Sequence, residues 1–507
     1  MSLPRLLVTG ASGFVGRNLL DALKDEYRIF GLARRSQARC GAPIHPNIDW
    51  FQADVGDRPA LDRVFDEIGE RGGIDYVVHL AAHYDFTGVD HDEYRRTNVE
   101  GLRNVLEGCT ALRPRRFVFS SSLAACGFSK TVRPVDENSP PNGRHVYART
   151  KRQGEAMLAD YSDRVPSVIV RFAALFSDWC EYPPLYSFLT TWLSRSWRSR
   201  IVGGRGRSAV PYLHIKDGVR MIGAVLERHD RLDELEVLLA SPDGAVSHEE
   251  LYAMANVYGA DRPRPPIHMP RLLCPLGIGL TNLAGRFADD MPFERRWMAR
   301  YIDRRLDVDA SRTRERLGWR PRRRLEVLER LPFMIENLRA DPIEWSRRNR
   351  EAMKAVRLRP NLTIAWLIER HAEAIEAEFI GQLTTGTEFD SYRRLSDDDL
   401  EWHVRLILRH LQNAVRTGDR GVLVGYCRDL ALRRHELGFE AREVLRALEL
   451  LDRIVLAHLR PEATTMGIVP YLDAWITATI RFGSDQLEET LEHLGRRRGG
   501  PRAPAAP

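Results

Sequence analysis

Cysteine is scarce in this sequence, with six in 507 residues, and no two of them form a CxxC motif. This usage favours reduced thiols in a cytoplasmic protein over a disulfide framework. Long apolar runs are also lacking. The uncharged stretch 272–285 has 14 residues, too few to span a bilayer, and we expect a core or pocket-lining helix there. With no secretory signal apparent, we expect a cytoplasmic chain without stable membrane insertion.

Neither sign of charge dominates, since 76 Lys and Arg oppose 70 Asp and Glu for a net charge of +6. Arginine clusters occur at 312–324 and 347–359. They are typical of solvated helix faces and loops, so we expect no nucleic-acid partner. The histidines of the C-terminal third are scattered without metal-ligand spacing, and we expect no metal ion.

Glycine, in contrast, is placed with regularity near the start of the chain, at positions 10, 13 and 16. An apolar run, Arg5–Thr9, precedes these glycines, and helical apolar periodicity follows from Phe14 to Lys24. Glycines at a strand-to-helix turn allow a tight bend and let backbone N–H groups approach a pyrophosphate. We predict a dinucleotide site with contacts from Thr9, Gly10, Ser12, Gly13, Phe14, Val15 and Gly16.

Short apolar strands then alternate with amphipathic helical segments. The predicted strands are 5–9, 27–33, 48–53, 75–82, 116–120 and 167–173. This rhythm predicts an α/β fold, a doubly wound parallel sheet of the Rossmann type, with a small substrate lobe built from 177–201 and 263–301. Ligands bind at the carboxyl ends of such strands. The cofactor contacts predicted there are Asp54, Val55, Leu80, Ala81 and Ala82, with Asp54 at the adenine edge.

The end of the second strand indicates which cofactor is bound. Arg34 and Arg35 stand where an NAD-specific site usually has a carboxylate for the ribose 2′-hydroxyl. A guanidinium suits a 2′-phosphate, so we predict NADP(H) as the preferred cofactor. Two solvated surface arginines are the alternative, and NAD(H) would then be bound instead.

The predicted proton-transfer site consists of Ser122, Tyr147 and Lys151. On a helix, Tyr147 and Lys151 lie on one face, so both can reach the same cleft. A nearby ammonium and the nicotinamide cation lower a phenol pKa from its usual value. Tyr147 could then exchange a proton with a substrate hydroxyl or carbonyl, while Lys151 holds ribose hydroxyls and Ser122 binds the reacting oxygen.

Residues 1–330 resemble the extended short-chain dehydrogenase/reductase family, the group of NAD-dependent epimerases and dehydratases. The matching pieces are Thr9–Gly16, His79–Ala82, Asn98–Gly101, Phe119–Ser122, Tyr147–Lys151, Tyr212–Asp217 and Leu317–Pro321. The resemblance implies that Asn98 steadies the proton-relay end of the site. It also implies a domain over 1–340 that binds NAD(P) and a small-molecule substrate.

The chain departs from this family's sugar-nucleotide enzymes at several positions. Leu123–Ala125 replaces the acidic pair typical of dehydratases, 172–175 has no asparagine, and Val210-Pro211 replaces a phosphate-binding arginine. We therefore predict an oxidoreductase that transfers a hydride between NADP(H) and a carbonyl or alcohol of a weakly charged small molecule. A nucleotide-sugar epimerase is the first alternative.

Beyond about residue 340 the strand pattern ends and helical patterns prevail. We predict a linker at 341–361, an all-α bundle at 362–494 and a disordered tail at 495–507. The predicted helices cover 362–380, 397–417, 419–437, 441–459, 470–482 and 484–494. Residues 362–460 resemble the helical sensor domain of RsbR-type regulators. This resemblance implies a sensing or dimerising role, with a homodimer and a regulatory partner or ligand, and leaves open a cofactor-sensing regulator as the second alternative.

Overall fold

The computed structural model describes residues 3–128, 133–259, 264–279, 293–353 and 360–498. The chain divides into two compact units, 1–358 and 359–507, and each is described here by itself. Across the described residues, no helix combines the length and the apolar character needed to cross a membrane.

A seven-stranded sheet forms the centre of the first unit, with all neighbouring strands parallel. Six strands confirm the predicted ones, with ends that differ by at most three residues. The seventh, at 235–240, was not predicted. The strands in chain order are β1 Arg5–Thr9, β2 Arg28–Ala33, β3 Ile48–Gln52, β4 Tyr76–His79, β5 Arg116–Ser122, β6 Ser167–Phe172, β7 Ala174–Phe176, β8 Ile201–Gly203, β9 Ala209–Val210, β10 Tyr212–His214, β11 Leu235–Ala240, β12 Val246–Ser247 and β13 Ile267–Met269. The order across the large sheet is β11-β6-β5-β4-β1-β2-β3.

Helices cover both faces of this sheet. Along β1, Leu6 and Val8 point into one buried core and Leu7 into another, as alternating side chains of a strand must. The predicted doubly wound fold is therefore confirmed. The α-helices of the unit are α1 Phe14–Leu23, α2 Gln37–Cys40, α3 Arg58–Glu70, α4 Asp92–Arg95, α5 Gly101–Leu112, α6 Val146–Tyr161, α7 Pro183–Trp192, α8 Ile215–Glu227, α9 His248–Gly259, α10 Ser311–Leu317, α11 Val327–Ala340 and α12 Pro342–Met353.

A separate apolar core lies beside the sheet, in the predicted substrate lobe. Short strand pairs, β7 with β10, β8 with β13 and β9 with β12, accompany it. Its buried side chains include Leu185, Leu189, Trp192 and Tyr252. Of the helix predicted within 272–285, residues 274–279 are helical and Cys274 is buried, whereas Leu272 and Leu276 are 88% and 66% exposed. Residues 280–285 lie outside the described part.

Helix α12 lies in the segment that the sequence analysis predicted as a linker. Its Trp345 is 1% exposed and belongs to the lobe core. The buried Asn349 side chain donates to Trp179 O at 2.7 Å and accepts from Glu181 N at 2.9 Å. Residues 342–353 are thus an integral helix of the first unit, because apolar burial and long-range hydrogen bonds hold them there.

The second unit contains six helices among its described residues. They are α13 Pro360–Arg370, α14 Ala372–Thr385, α15 Asp397–Thr417, α16 Gly421–Glu436, α17 Ala441–Thr465 and α18 Ala478–Arg498. Their apolar faces form one core that includes Ile364, Phe379, Leu411, Leu451 and Leu487. The all-α character predicted for this region is confirmed.

Several helix boundaries in this unit differ from those predicted. The helix expected over 362–380 is interrupted at His371, and α17 continues through Pro461 because Ala463 beyond it is buried in the core. Helix α18 continues through Gly483, where a Cβ would lie 2.9 Å from Cys427 Sγ. This glycine permits close packing on α16 and ends no helix. Helix α18 also includes 495–498, part of the predicted tail, whose remainder lies outside the described residues.

Candidate active site

The glycine turn joins β1 to α1 as predicted, and each glycine has a distinct steric reason. Gly10 has a φ of +69°, and a Cβ there would lie 2.6 Å from Ala81 N. A Cβ on Gly16 would lie 2.5 Å from Gly10 O. The turn is therefore closed tightly on itself and on the end of β4. Ser12, Gly13, Phe14 and Val15 remain partly exposed at the N-terminus of α1.

Thr9 and Asp54 are buried, and both brace the backbone around this turn. The Thr9 hydroxyl lies 2.9 Å from His79 Nδ1 and accepts from Ala81 N at 3.3 Å, which ties β1 to β4. Asp54 Oδ1 accepts from Gly56 N at 2.9 Å, and its Oδ2 lies 3.7 Å from an Arg96 nitrogen.

The other predicted cofactor contacts beyond β3 and β4 differ in exposure. Val55 is buried against Gly101, where a Cβ would lie 2.6 Å from its methyl group. Leu80 and Ala81 are partly exposed, and Ala82 is exposed. Of these four residues, Leu80, Ala81 and Ala82 have exposed surface at this edge of the sheet, whereas Val55 packs beneath the edge.

Arg34 and Arg35 have different partners at the end of β2. Arg34 Nη1 lies 2.8 Å from the carboxylate of Glu93, which is buried. Arg35 Nη2 instead donates to Ser12 O at 2.9 Å and so lies beside the glycine turn. Of the two predicted phosphate readers, only Arg35 is brought to the turn; Arg34 neutralises a buried acid.

Tyr147 and Lys151 lie one turn apart on α6, as predicted. Lys151 is 2% exposed, its Nζ donates to Ser120 O at 2.5 Å and lies 5.6 Å from the centre of the Tyr147 ring. Burial raises the pKa of Tyr147 above its usual value. Burial lowers the pKa of Lys151 to about 7, although the charge of Glu155 acts in the opposite direction. The phenol is thus a proton donor at neutral pH, with a lysine that titrates nearby.

Ser122 ends β5 and is partly exposed at the carboxyl edge of the sheet. Its Oγ accepts from Ala124 N at 3.2 Å, which leaves the hydroxyl proton for another acceptor. Asn98 lies in a π-helical turn, Arg96–Glu100. Its amide nitrogen donates to His83 O and to Thr150 Oγ1, both at 3.0 Å, and its oxygen accepts from His83 N at 2.6 Å. Asn98 thereby joins α6 to the loop after β4.

Aromatic rings surround the Tyr147 phenol. Tyr84 stacks on it with the ring centres 4.2 Å apart, and Tyr84 in turn contacts Phe86 at 4.1 Å. Trp297 stacks on His145 at 5.7 Å and donates to Phe86 O. The neighbours of the candidate proton donor are consequently aromatic rings, of which Tyr84 lies nearest to the phenol.

The sequence analysis missed a cluster in the loop after β4, formed by His83, Asp85 and His91. Their ligating atoms all lie within 4.8 Å of one another, and the described residues contain no other such group of three or more. The signal was present in the sequence as a His-x-Asp pair directly after a strand end, with a third ligand six residues later. The sequence-based expectation concerned only the C-terminal histidines, so this cluster was not predicted.

A glycine turn on β1, a Tyr and a Lys on α6 and a doubly wound sheet together define a dinucleotide-binding enzyme fold. Residues 6–239 match the model of the NAD dependent epimerase/dehydratase family. This match agrees with the resemblance found in the sequence and covers a little less than half of the chain.

Curated relatives that match part of this chain have several activities. A 4-epimerase of N-acetyl-α-D-glucosaminyl-diphospho-ditrans,octacis-undecaprenol from Escherichia coli O157:H7 is 30% identical over 177 residues, 34% of this chain and 49% of that protein. A 3 beta-hydroxysteroid dehydrogenase/Delta 5-->4-isomerase of Mycobacterium tuberculosis is 32% identical over 164 residues, 31% of this chain and 42% of that protein. A uronate dehydrogenase of Pseudomonas syringae pv. tomato is 27% identical over 196 residues, which are 38% of this chain and 65% of that protein. The chain thus spans less than two thirds of the length of each.

Solved structures share the fold of the first unit. The UDP-glucose 4-epimerase of Thermotoga maritima, solved with UDP-glucose, has a TM-score of 0.52 at 20% identity and covers 66% of this chain and 99% of its own. The enzyme WbmG of Bordetella bronchiseptica, solved with NAD, has a TM-score of 0.51 at 21% identity, with coverages of 67% and 95%. At these identities the likeness concerns the fold.

Proposed function

We propose that this protein is an NADP(H)-dependent oxidoreductase that interconverts a carbonyl and an alcohol on a weakly charged small molecule. Tyr147 transfers the proton to or from the substrate oxygen, which Ser122 also binds through its free hydroxyl proton. Lys151 holds the nicotinamide ribose and adjusts the Tyr147 pKa. The cofactor supplies the hydride when bound.

The observation that carries this proposal is the aromatic wall at Tyr147. The rings of Tyr84 and His145 face the phenol ring, at 4.2 Å and 6.2 Å between centres. A diphosphate-linked sugar needs cationic or amide donors for its phosphates. Flat apolar neighbours instead favour a substrate that binds by burial of carbon surface.

The preference for NADP(H) is supported by Arg35. Arg35 follows the end of β2, where a Rossmann fold reads the adenosine ribose, and its guanidinium reaches the carbonyl of Ser12 in the neighbouring glycine turn. A guanidinium binds a phosphate dianion through charge-assisted hydrogen bonds. Ser12, Gly13, Leu80 and Ala81, all partly exposed, are the remaining proposed contacts.

A nucleotide-sugar epimerase is the second candidate, because a 4-epimerase of a diphosphate-linked sugar is 30% identical over 177 residues. An epimerase keeps its NAD bound throughout turnover, so the purified protein would release NAD on denaturation. A third candidate of another class is a cofactor-sensing regulator that signals through the helical unit; it would bind NADPH without substrate-dependent oxidation.

The test is Tyr147→Phe, measured as NADPH oxidation with a panel of hydrophobic cyclic and aromatic ketones. We expect turnover to fall by roughly 100-fold or more, with NADPH affinity unchanged within about twofold. Tyr161→Phe is the matched control, since Tyr161 ends the same helix and contacts Arg164. Full turnover by Tyr147→Phe would contradict the proposed role, and NAD retained by the wild-type protein would favour the epimerase.

A further inference from the structure

Three potential metal ligands converge in the loop between β4 and α4. His91 Nε2 lies 2.7 Å from Asp85 Oδ2, and His83 Nε2 lies 3.6 Å from the same oxygen. The two imidazole rings are 4.9 Å apart between centres. His83 and Asp85 are 4% and 1% exposed, while His91 is partly exposed at the mouth of the cluster.

The two oxygens of Asp85 have separate environments. Oδ1 accepts three hydrogen bonds, from Thr87 N at 3.1 Å, Thr87 Oγ1 at 2.8 Å and the Tyr94 hydroxyl at 2.9 Å. Oδ2 faces the two histidines. These outer bonds hold the carboxylate plane and direct Oδ2 inward, the arrangement by which neighbouring groups orient a metal ligand.

The buried ring of His83 supplies a second, independent observation. Its Nε2 has no hydrogen-bond partner although it is enclosed, and an unsatisfied buried polar atom is costly. The backbone of His83 is held on both sides by Asn98, which donates to its oxygen and accepts from its nitrogen. The ring is thus held with its free nitrogen directed at Asp85, a position that a bound cation would satisfy.

We propose that His83, Asp85 and His91 bind a divalent metal ion of the zinc class. Two imidazole nitrogens and one carboxylate oxygen form the donor set that tetrahedral zinc takes in sites with an open position, where water is the fourth ligand. Ligand atoms of a tetrahedral site lie about 3.3 Å apart at bond lengths near 2.0 Å. The observed 2.7 Å and 3.6 Å bracket that separation. This site replaces the earlier expectation that the chain binds no metal.

The ion would stabilise one wall of the candidate active site. Tyr84 lies between two of the ligands and stacks on Tyr147 at 4.2 Å. Asn98 carries the connection further, from His83 to Thr150 on α6. A metal at this position would restrain the loop that lies against Tyr147. Its binding does not depend on which reaction the enzyme catalyses.

Cobalt(II) binding to the chelator-treated full-length protein tests this site, because tetrahedral cobalt absorbs visible light strongly. We expect one ion per chain, displaced by zinc, and at least roughly 100-fold weaker binding in His91→Ala and Asp85→Asn. His45→Ala is the matched control: His45 pairs with Asp25 at 3.4 Å and belongs to no group of three such ligands in the described residues. It should bind cobalt like the wild type.

His91→Cys separates ligation from mere support of the loop. If residue 91 ligates the metal, its thiolate should add a sulfur-to-cobalt charge-transfer band while cobalt still binds. His91 is only partly buried, so this variant should fold even where Asp85→Asn does not. Absence of cobalt binding by the wild type, unchanged affinity in His91→Ala, or no charge-transfer band in His91→Cys would each overturn the proposal.

Discussion

Adjacent residues can have unrelated roles, as Arg34 and Arg35 illustrate. From the sequence, both arginines were predicted to bind the 2′-phosphate of NADP(H). In the structure Arg34 pairs with buried Glu93, 59 positions away, and Arg35 reaches Ser12 in the glycine turn. Removal of Arg34 would take the ion-pair partner from a buried carboxylate, which costs stability. Removal of Arg35 affects the surface beside the turn.

Arg35→Ala should therefore change cofactor selectivity. We expect NADPH affinity to fall by about 10-fold or more, the worth of a charge-assisted contact, while NADH affinity stays within about twofold. Fluorescence titration of both cofactors measures this. Arg28→Ala, at the other end of β2 and paired with Asp49, is the control and should change neither affinity. Equal loss of both affinities would mean that Arg35 supports the turn rather than reading a phosphate.

Lys151 carries a pH dependence whose sign follows from its burial. Its pKa is about 7 in the folded protein, compared with 10.5 for an ordinary lysine. Between these values the unfolded chain binds more protons, so the folded state loses stability as the pH falls. The loss is nearly complete at pH 7.

Lys151→Met should remove this pH-dependent contribution to the free energy of unfolding. We expect the wild type to lose roughly 2 kcal/mol more than the variant between pH 9 and pH 7, measured as the free energy of unfolding in denaturant. Lys216→Met replaces an exposed lysine and should follow the wild-type profile. Parallel profiles for Lys151→Met and wild type would show that the lysine is solvated and charged at neutral pH.

The sequence of helix α12 did not predict that this helix belongs to the first unit. Its composition is polar, with several arginines and glutamates, and this favoured a linker. The helix nevertheless buries Trp345 in the lobe core. Burial of this one large aromatic side chain stabilises the packed helix even though most of its surface is polar.

Trp345→Ala should destabilise the first unit by about 3–5 kcal/mol, the usual cost of truncating a buried aromatic residue. Unfolding in denaturant, followed by circular dichroism, measures the change, and hydrogen exchange of peptides from α7 and α11 localises it. Ile343→Ala lies on the same helix but is 79% exposed, so it should change stability by less than about 0.5 kcal/mol. If both substitutions changed the unfolding free energy equally and only slightly, α12 would be a linker and not part of the first unit.

Helix α15 covers the predicted range 397–417, and its boundaries, like the start of α3, carry strong local signals. Asp57 accepts from Ala60 N at 3.1 Å and begins α3, and Ser396 accepts from Asp399 N at 3.2 Å and begins α15, which ends at Gly418 with a φ of +69°. Capping depends on residues within one helical turn, so the sequence specifies it directly. Pro461 and Gly483 misled the prediction because tertiary packing outweighed their local preferences.

At the scale of the whole chain, the apolar cores of the two units share no residue among those that the structure describes. Two cores on the faces of the sheet and one in the lobe belong to the first unit, and another belongs to the second unit. Such a division favours separate folding units, since each core is complete in itself.

The fragment 360–498 should fold by itself, with helical circular dichroism and a cooperative thermal transition. Leu411→Ala, at a fully buried site, should lower its unfolding free energy by about 2–5 kcal/mol. Leu432→Ala, at a site 43% exposed, should cost less than about 1 kcal/mol. A fragment without a cooperative transition would show that the second unit requires the first.

The fold class, the glycine turn, the resemblance to a family and the placement of Tyr147 and Lys151 on one helix face could be predicted from the sequence. These features depend on spacing within a few residues and on strand-helix alternation, both of which are local. The pairing of Arg34 with Glu93, the place of Trp345 in the first unit and the stacking of Tyr84 on Tyr147 became known from the structure. It also brought His91 to His83 and Asp85. Each of these contacts depends on which segments pack together, and packing is decided by the burial of the whole chain rather than by neighbours in sequence.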